Sequence, residues 1–222
     1  MTKQLIVGFC TEGTTDNRFL ESIIQRTFEH VAFDCTGQVD ILPVQLLDKQ
    51  AGPFVELVEL YARKAVDLGV MVLCIHTDAD AITDANCYAN KINPAFDNIS
   101  SLEDKNICKN LVAIVPVQMT ESWMLAEKEL LKKEIGTSKT NAELQINRNP
   151  ENISNPKQVI ENAIRIAVSE LTKRRRKQLK IGQLYLPIGQ KINLSSLENL
   201  NSYNKFKTSV RQIFIDLGYL QP

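Results

Sequence analysis

Leu5-Ile6-Val7-Gly8-Phe9-Cys10-Thr11-Glu12-Gly13-Thr14-Thr15-Asp16 runs an apolar segment into a carboxylate, a glycine and a helix start. A short apolar run bounded by turn residues predicts a fully buried strand over residues 4–10. Thr14-Thr15-Asp16 then caps a helix whose apolar stripe is Phe19, Leu20, Ile23, Ile24, Thr27 and Phe28. A second stretch repeats the design: Val70-Met71-Val72-Leu73-Cys74-Ile75-His76-Thr77-Asp78-Ala79-Asp80 carries two alternating aspartates past its apolar end. Between the two lies an apolar strand over residues 39–46. It is followed by a helix opened by Gly52-Pro53, with Phe54, Leu57, Val58, Tyr61 and Ala65 on one side and Gly69 at its end. A polar region with a helix around residues 84–91 leads to a fourth strand over residues 111–117. Strict alternation of strands and helices predicts an α/β fold: an open, mainly parallel, Rossmann-like four-stranded sheet with helices on both faces.

From Glu121 onward the pattern is helical, with helices expected over residues 122–133, 156–180 and 202–217. The middle one carries Val159, Ile160, Ala163, Ile164, Ala167, Val168 and Leu171 at three-to-four spacing. The last presents Phe206, Val210, Ile213, Phe214 and Leu217 as a seam against the core. The expected organisation is an α/β domain over residues 1–120 and a helical C-terminal region, residues 121–222, packed on it.

At 222 residues the chain buries enough surface to need no covalent staples. Lys+Arg 26 against Asp+Glu 26 leaves a formal net charge of zero, so any attraction to a polyanion has to be local. The five cysteines are scattered and never form a C-x-x-C pair, which argues against a disulfide framework or a zinc ribbon and fits a reduced cytoplasm. No apolar run approaches the roughly 20 residues that span a bilayer, so no membrane association is expected.

Acids therefore stand at two strand ends, where open parallel sheets bind their ligands. If the first and third strands are neighbours, about 4.8 Å apart, Glu12 and Asp78 converge within one ion's reach. Asp78 and Asp80, two apart on an extended segment, face one side together. A hard cation such as Mg²⁺ or Mn²⁺ suits such a sparse carboxylate site, because it fills its remaining positions with water and phosphate oxygens. The bland alternative makes Glu12, Asp16 and Asp80 helix-dipole partners. That suffices for Asp16, but three like charges at two strand ends repel unless a cation lies between them. His76 reads either as a packed core residue or as a ligand or base, and Trp123 reads as core.

Glu12-Gly13 after the first strand, Asp16 one turn on, and Asp78-Ala79-Asp80 after the third resemble the signature of TOPRIM domains, found in topoisomerases, bacterial primases and OLD-type and other defence nucleases. Within that superfamily the chain is most similar to small bacterial TOPRIM-like proteins in which the fourth strand leads into a Glu-x-Trp helix, here Glu121-Ser122-Trp123. The resemblance implies a metal-dependent nuclease of bacterial defence, including phage defence, or of repair. It makes Glu12 a metal ligand or general acid/base, and Asp78 and Asp80 metal ligands, so Glu12, Asp78 and Asp80 are the expected catalytic set. Ala81-Ile82-Thr83 departs from the nucleases that carry further acids there. Glu121 either supplies that missing ligand or serves the helix dipole at its own first turn.

Lys173, Arg174, Arg175, Arg176 and Lys177 concentrate positive charge in an otherwise neutral chain. Such a run either tracks a nucleic-acid backbone or forms a solvated helix end. Two functions remain open at this stage: a Mg²⁺-dependent phosphodiesterase acting on DNA or RNA, and a non-catalytic TOPRIM-like module that docks on a partner such as an ATPase. A receiver-type phosphoacceptor carries its acid pair after the first strand, whereas here the pair follows the third.

Overall fold

The computed structural model describes residues 2–169 and 179–221. The opening apolar segment forms two short strands, β1 (Lys3–Leu5) and β2 (Val7–Cys10), divided at Ile6, whose carbonyl accepts the Met71 and Val72 N–H groups at 2.8 and 3.3 Å. The next expected strand is likewise split, into β3 (Val39–Ile41) and β4 (Gln45–Leu46). Pro43 sits in the gap and has no N–H to give a ladder. Strands β5 (Val72–His76) and β6 (Leu111–Ile114) follow. The expected four-stranded parallel sheet is present in the order β4-β2-β5-β6, and β1 and β3 pair beside it as a parallel two-stranded extension.

Strands β2, β5 and β6 have apolar groups on both faces, as parallel strands buried under helices require, whereas the edge strand β4 ends on the exposed Leu46. Val7, Phe9, Val72, Cys74, Val112 and Ile114 belong to one core, shared with helix α1 (Thr14–Ala32) and with helices from the C-terminal half. Cys10, Leu73 and Ile75 point the other way, into a smaller core under α2 (Phe54–Asp67). Between β5 and β6 the chain makes α3 (Ala85–Cys87), a π-helical turn (Tyr88–Ile92) and α4 (Asn93–Ser101), a longer helical stretch than expected. Pro94, in the first turn of α4, cannot donate to the carbonyl one turn back, which accounts for the widened turn ahead of it.

The helix expected over residues 122–133 is two: α5 (Glu121–Met124) and α6 (Lys128–Ile135). The break turns the chain so that Trp123, Met124 and Leu125 are all buried. Helix α7 (Pro156–Ala167) ends well before the expected residue 180, and Leu179 and Lys180 are not helical. Helices α8 (Tyr185–Lys191), α9 (Leu194–Leu197) and α10 (Asn201–Asp216) complete the chain, the last within one residue of its expected span.

The core on the α1 face runs without interruption from the strands into α5, α6, α8 and α10. Named polar contacts hold these pieces. The Trp123 indole donates to Ser202 Oγ at 2.8 Å, and Ser202 Oγ donates to Glu151 Oε1 at 2.7 Å. The same Glu151 carboxylate accepts the Asn201 and Ser202 N–H groups and so caps α10. Arg26 on α1 donates to the Gly189 and Ile192 carbonyls, both at 2.7 Å, fixing α8 across it. Among the described residues no helix is long and apolar enough to cross a membrane.

Candidate active site

The strand order reverses between β2 and β5. From β2 the chain passes through α1 toward β4 on one side, and from β5 through α3 and α4 toward β6 on the other. Such a switch point leaves a crevice beyond the strand ends. Cys10 is in register with Ile75, so Glu12 and Asp78 leave adjacent strands a few residues later. The structure brings them together: Glu12 Oε2 accepts the Thr77 hydroxyl at 2.9 Å and the Asp78 N–H at 3.3 Å.

The third strand end closes on the same point. Asp78 Oδ1 accepts the Thr120 N–H at 2.9 Å and the Thr120 hydroxyl at 3.3 Å, and lies 3.3 Å from His76 Nε2. Thr120 Oγ1 is itself 3.1 Å from His76 Nε2. His76 is buried, and burial disfavours its charged form. The neighbouring Asp78, with Asp16 and Glu12 behind it, outweighs that cost and raises its pKa. Its Nδ1 is buried with no hydrogen-bond partner among the described residues.

Asp80 departs from the extended geometry expected of it. Its φ is 52°, its N–H donates to the Gln118 carbonyl at 2.9 Å, and the chain turns there, so the two-residue alternation does not carry past Ala79. Asp80 nevertheless feels the site. Partial burial first, then the charges of Asp78 and Glu12, raise its pKa against the opposing pull of Lys91.

Asp16 lies in the first turn of α1, as its helix-dipole reading expects, and it also feels the acid centre. The residue ahead of α1, Gly13, receives no side-chain cap, and Asp16 is buried, folded back over Gly13, where a Cβ would collide with its Oδ2. Burial raises its pKa first. Asp78 and Glu121 add to the shift, and His76 and Thr120 oppose it. The available signal was its spacing: four residues after Glu12, in the first turn of a helix entered directly from a buried strand end. Glu121, in the first turn of α5, is buried and accepts the Tyr185 hydroxyl on Oε1 at 2.5 Å. Burial and Glu121 together push the Tyr185 phenol far up. Thr77, Thr120 and Tyr185 carried no signal in the sequence, because each acquires its role from a partner more than 40 residues away. Lys173, Arg174, Arg175, Arg176 and Lys177 lie outside the described residues.

The donor set is carboxylate oxygen, which suits Mg²⁺ or Mn²⁺. Among the described residues no three His, Cys, Asp or Glu side chains form a ready-made ligand cluster. Mg²⁺ needs only one or two protein carboxylates, however. Every hydrogen bond made by the carboxylate of Glu12 goes to Oε2, and by that of Asp78 to Oδ1, leaving one oxygen of each without a protein donor among the described residues. Burial comes first in raising the pKa of both Asp16 and Asp80, neighbouring carboxylates add to it, and a cation relieves that second cause. The residues thus fit a largely hydrated ion.

Comparison with curated proteins and with solved structures found no match. A family model described as a domain of unknown function, DUF4276, matches residues 11–206, a span that includes Glu12, Asp16, Asp78, Asp80 and Glu121. The chain belongs to the DUF4276 family.

Proposed function

We propose that this protein is a TOPRIM-like, metal-dependent nuclease that hydrolyses phosphodiester bonds of DNA or RNA in a bacterial defence or repair system. The observation that carries the reading is the meeting of Glu12 and Asp78 across the β2/β5 switch point, with Thr120 from the end of β6 holding Asp78 in place. Glu12 and Asp78 would hold the ion, with Asp80 and Glu121 as further carboxylates and Asp16 beside them. When bound, Mg²⁺ or Mn²⁺ supplies a Lewis acid and lowers the pKa of its water. The chain itself contributes orientation. His76 and Thr120 fix Oδ1 of Asp78, Thr77 fixes Oε2 of Glu12, and the Tyr185 hydroxyl fixes Oε1 of Glu121. We place the protein in the cytoplasm, where its five free thiols stay reduced.

The test is cleavage of labelled DNA and RNA oligonucleotides in Mg²⁺ or Mn²⁺, together with calorimetric titration of Mn²⁺, in the wild type and in Asp78→Ala. The expected result is metal-dependent cleavage and Mn²⁺ binding, both lost in the variant. Cleavage that survives in Asp78→Ala removes the assignment. A wild type that binds no Mn²⁺ and cleaves nothing leaves the non-catalytic docking module as the reading.

A further inference from the structure

A cavity of about 210 Å³ opens beside Glu12, on the α2 face of the sheet. Phe54, Leu57, Val58, Tyr61 and Ile75 make its walls apolar. Two cations stand at it, Lys49 and Lys91. Both are tied to the edge shared with the acid centre. Lys49 Nζ donates to the Glu12 carbonyl, and Lys91 Nζ donates to Thr77 Oγ1 at 3.2 Å, the same hydroxyl that donates to Glu12 Oε2.

This is an unusual neighbour for a cluster of carboxylates. The structural need is met without it: α2 already buries Val58, Ala62 and Ala65 against β5, and the cavity is space which that packing leaves over. Pockets for drug-sized ligands run from about 300 to 1,000 Å³, so this one has room for a single ring system and not for a stacked pair. An apolar slot with an aromatic ring at its wall and ammonium groups at its edge matches one amphipathic shape, a flat heterocycle attached to a phosphate.

We propose that this cavity receives the base of one unpaired nucleotide, while Lys49 and Lys91 contact the phosphate that links it to the acid centre, so that the substrate is single-stranded nucleic acid or a nucleotide extruded from a duplex. The inference rests on the nuclease reading for the identity of the acid centre, and it adds the class of strand. A base inside a duplex is stacked and paired and cannot enter a slot this size, so only an unpaired nucleotide places its phosphate between the lysines and Glu12. Lysine suits that position because its ammonium acts as a point charge on phosphate and needs no planar partner.

The experiment measures binding of a fluorescent 12-nucleotide oligo-dT and of a 12-base-pair duplex by anisotropy in Ca²⁺, and cleavage of both in Mn²⁺. The proteins are the wild type, Leu57→Trp, Lys49→Glu and Asp78→Ala. The expected result is a single-strand preference of about tenfold or more in the wild type, the scale of one stacked base. Leu57→Trp fills the slot and reduces that preference about tenfold. Lys49→Glu, an exposed substitution that leaves the core intact, also weakens single-strand binding about tenfold. Equal affinity for single strand and duplex in the wild type overturns the proposal. So does unchanged binding in both Leu57→Trp and Lys49→Glu. Failure of the two readings is separable. Asp78-dependent cleavage that ignores Leu57→Trp and does not discriminate between strands ends the cavity assignment and keeps the nuclease. Cavity-dependent binding, retained in Asp78→Ala with no cleavage by any protein, ends the nuclease and keeps the cavity.

Discussion

The two faces of the sheet treat charge in opposite ways at their C-terminal ends. On the α1 face, Asp78, Asp16 and Glu121 gather around one imidazole, one threonine and one tyrosine. His76, Thr120 and Tyr185 are buried with Asp16 and Glu121. Burial comes first in raising the Asp16 pKa and Asp78 and Glu121 add to it, while Asp78 raises that of His76 against its own burial. On the α2 face, Glu12 has a lysine on its own carbonyl and a second lysine one hydroxyl away, and the surface beside it is apolar. The alternation of β2 and β5 produces the split: Phe9 and Cys74 look toward α1, Cys10 and Ile75 toward α2, and the chain carries that division past the strand ends. One face stores like charge, which a cation would relieve. The other offers positive charge and a dry slot, which a polyanion would use.

The strongest way to break this contrast is to neutralise one acid on each side. Asp78→Asn keeps the size of the side chain and its acceptor oxygen for Thr120 while removing a charge from the crowded face. Its single-turnover cleavage rate is expected to fall by about a thousandfold, a loss typical of a residue that organises an electrostatic centre. Glu12→Gln is expected to fall less, by about tenfold to a hundredfold, because the lysines beside it already offset part of its charge. Rapid-quench measurements in Mn²⁺ check both. A reversed order, with Asp78→Asn active and Glu12→Gln dead, would put the working carboxylate on the α2 face.

The faces also differ in how tightly they are packed, and two glycines measure it. Gly189 on α8 lies against α1, where an added Cβ would stand 2.5 Å from the Phe19 carbonyl oxygen and 2.8 Å from its Cα. Neither backbone atom can move without shifting α1. Gly8 on β2 faces the other way, and its added Cβ would stand 2.9 Å from Leu47 Cδ1 and 3.0 Å from the Val70 methyls, the ends of side chains that can give. Gly189→Ala is therefore expected to lower stability by about 3 kcal/mol, and Gly8→Ala by about 1 kcal/mol. Urea unfolding followed by circular dichroism reads the difference, and equal losses would mean that the α1 face is no more rigid than its opposite.

Local pattern makes much of this legible in the sequence. The two apolar runs ending in Glu12 and Asp78 are strands because nothing in them disfavours a buried sheet, and their being neighbours makes the acids meet. The seam Phe206, Val210, Ile213, Phe214 defined α10 for the same reason. The failures share a cause. Strands β1 and β2 part at Ile6, and α5 parts from α6 after Met124, because packing partners elsewhere in the chain decide where an apolar segment bends. Asp16 is the first-turn acid that the local pattern indicates, and local pattern says nothing more of it. Only the fold places it against Glu121, more than 100 residues later, and places Tyr185 above that carboxylate. The apolar cavity was equally invisible: Phe54, Leu57, Val58 and Tyr61 read as the packed side of a helix, which most of that side is.

Charge on the outer surface of α2 provides the mildest comparison with the crowded interior. Arg63 bridges Glu59, at 2.9 Å, and Asp104, all three partly exposed. The hydrogen bonds from Arg63 and Asn98 hold the Glu59 carboxyl below its ordinary range. For Asp104 the Asn106 N–H comes first, and Arg63 adds to it. A lowered carboxylate stabilises the folded state at pH values above its unfolded pKa, about 4, and that contribution disappears as the pH falls through the lower folded value. Solvent screens such exposed pairs strongly. Arg63→Ala is therefore expected to lower the thermal midpoint by no more than about 2 °C at pH 7, a limit set by the small worth of exposed ion pairs in a chain of this size. In acid, below the lowered folded values of both carboxylates, the variant and the wild type should melt together. Differential scanning calorimetry at the two pH values decides it. A loss that persists unchanged in acid would assign the role of Arg63 to packing of its aliphatic stem over α2, and the contrast between buried and exposed charge would then rest on the interior alone.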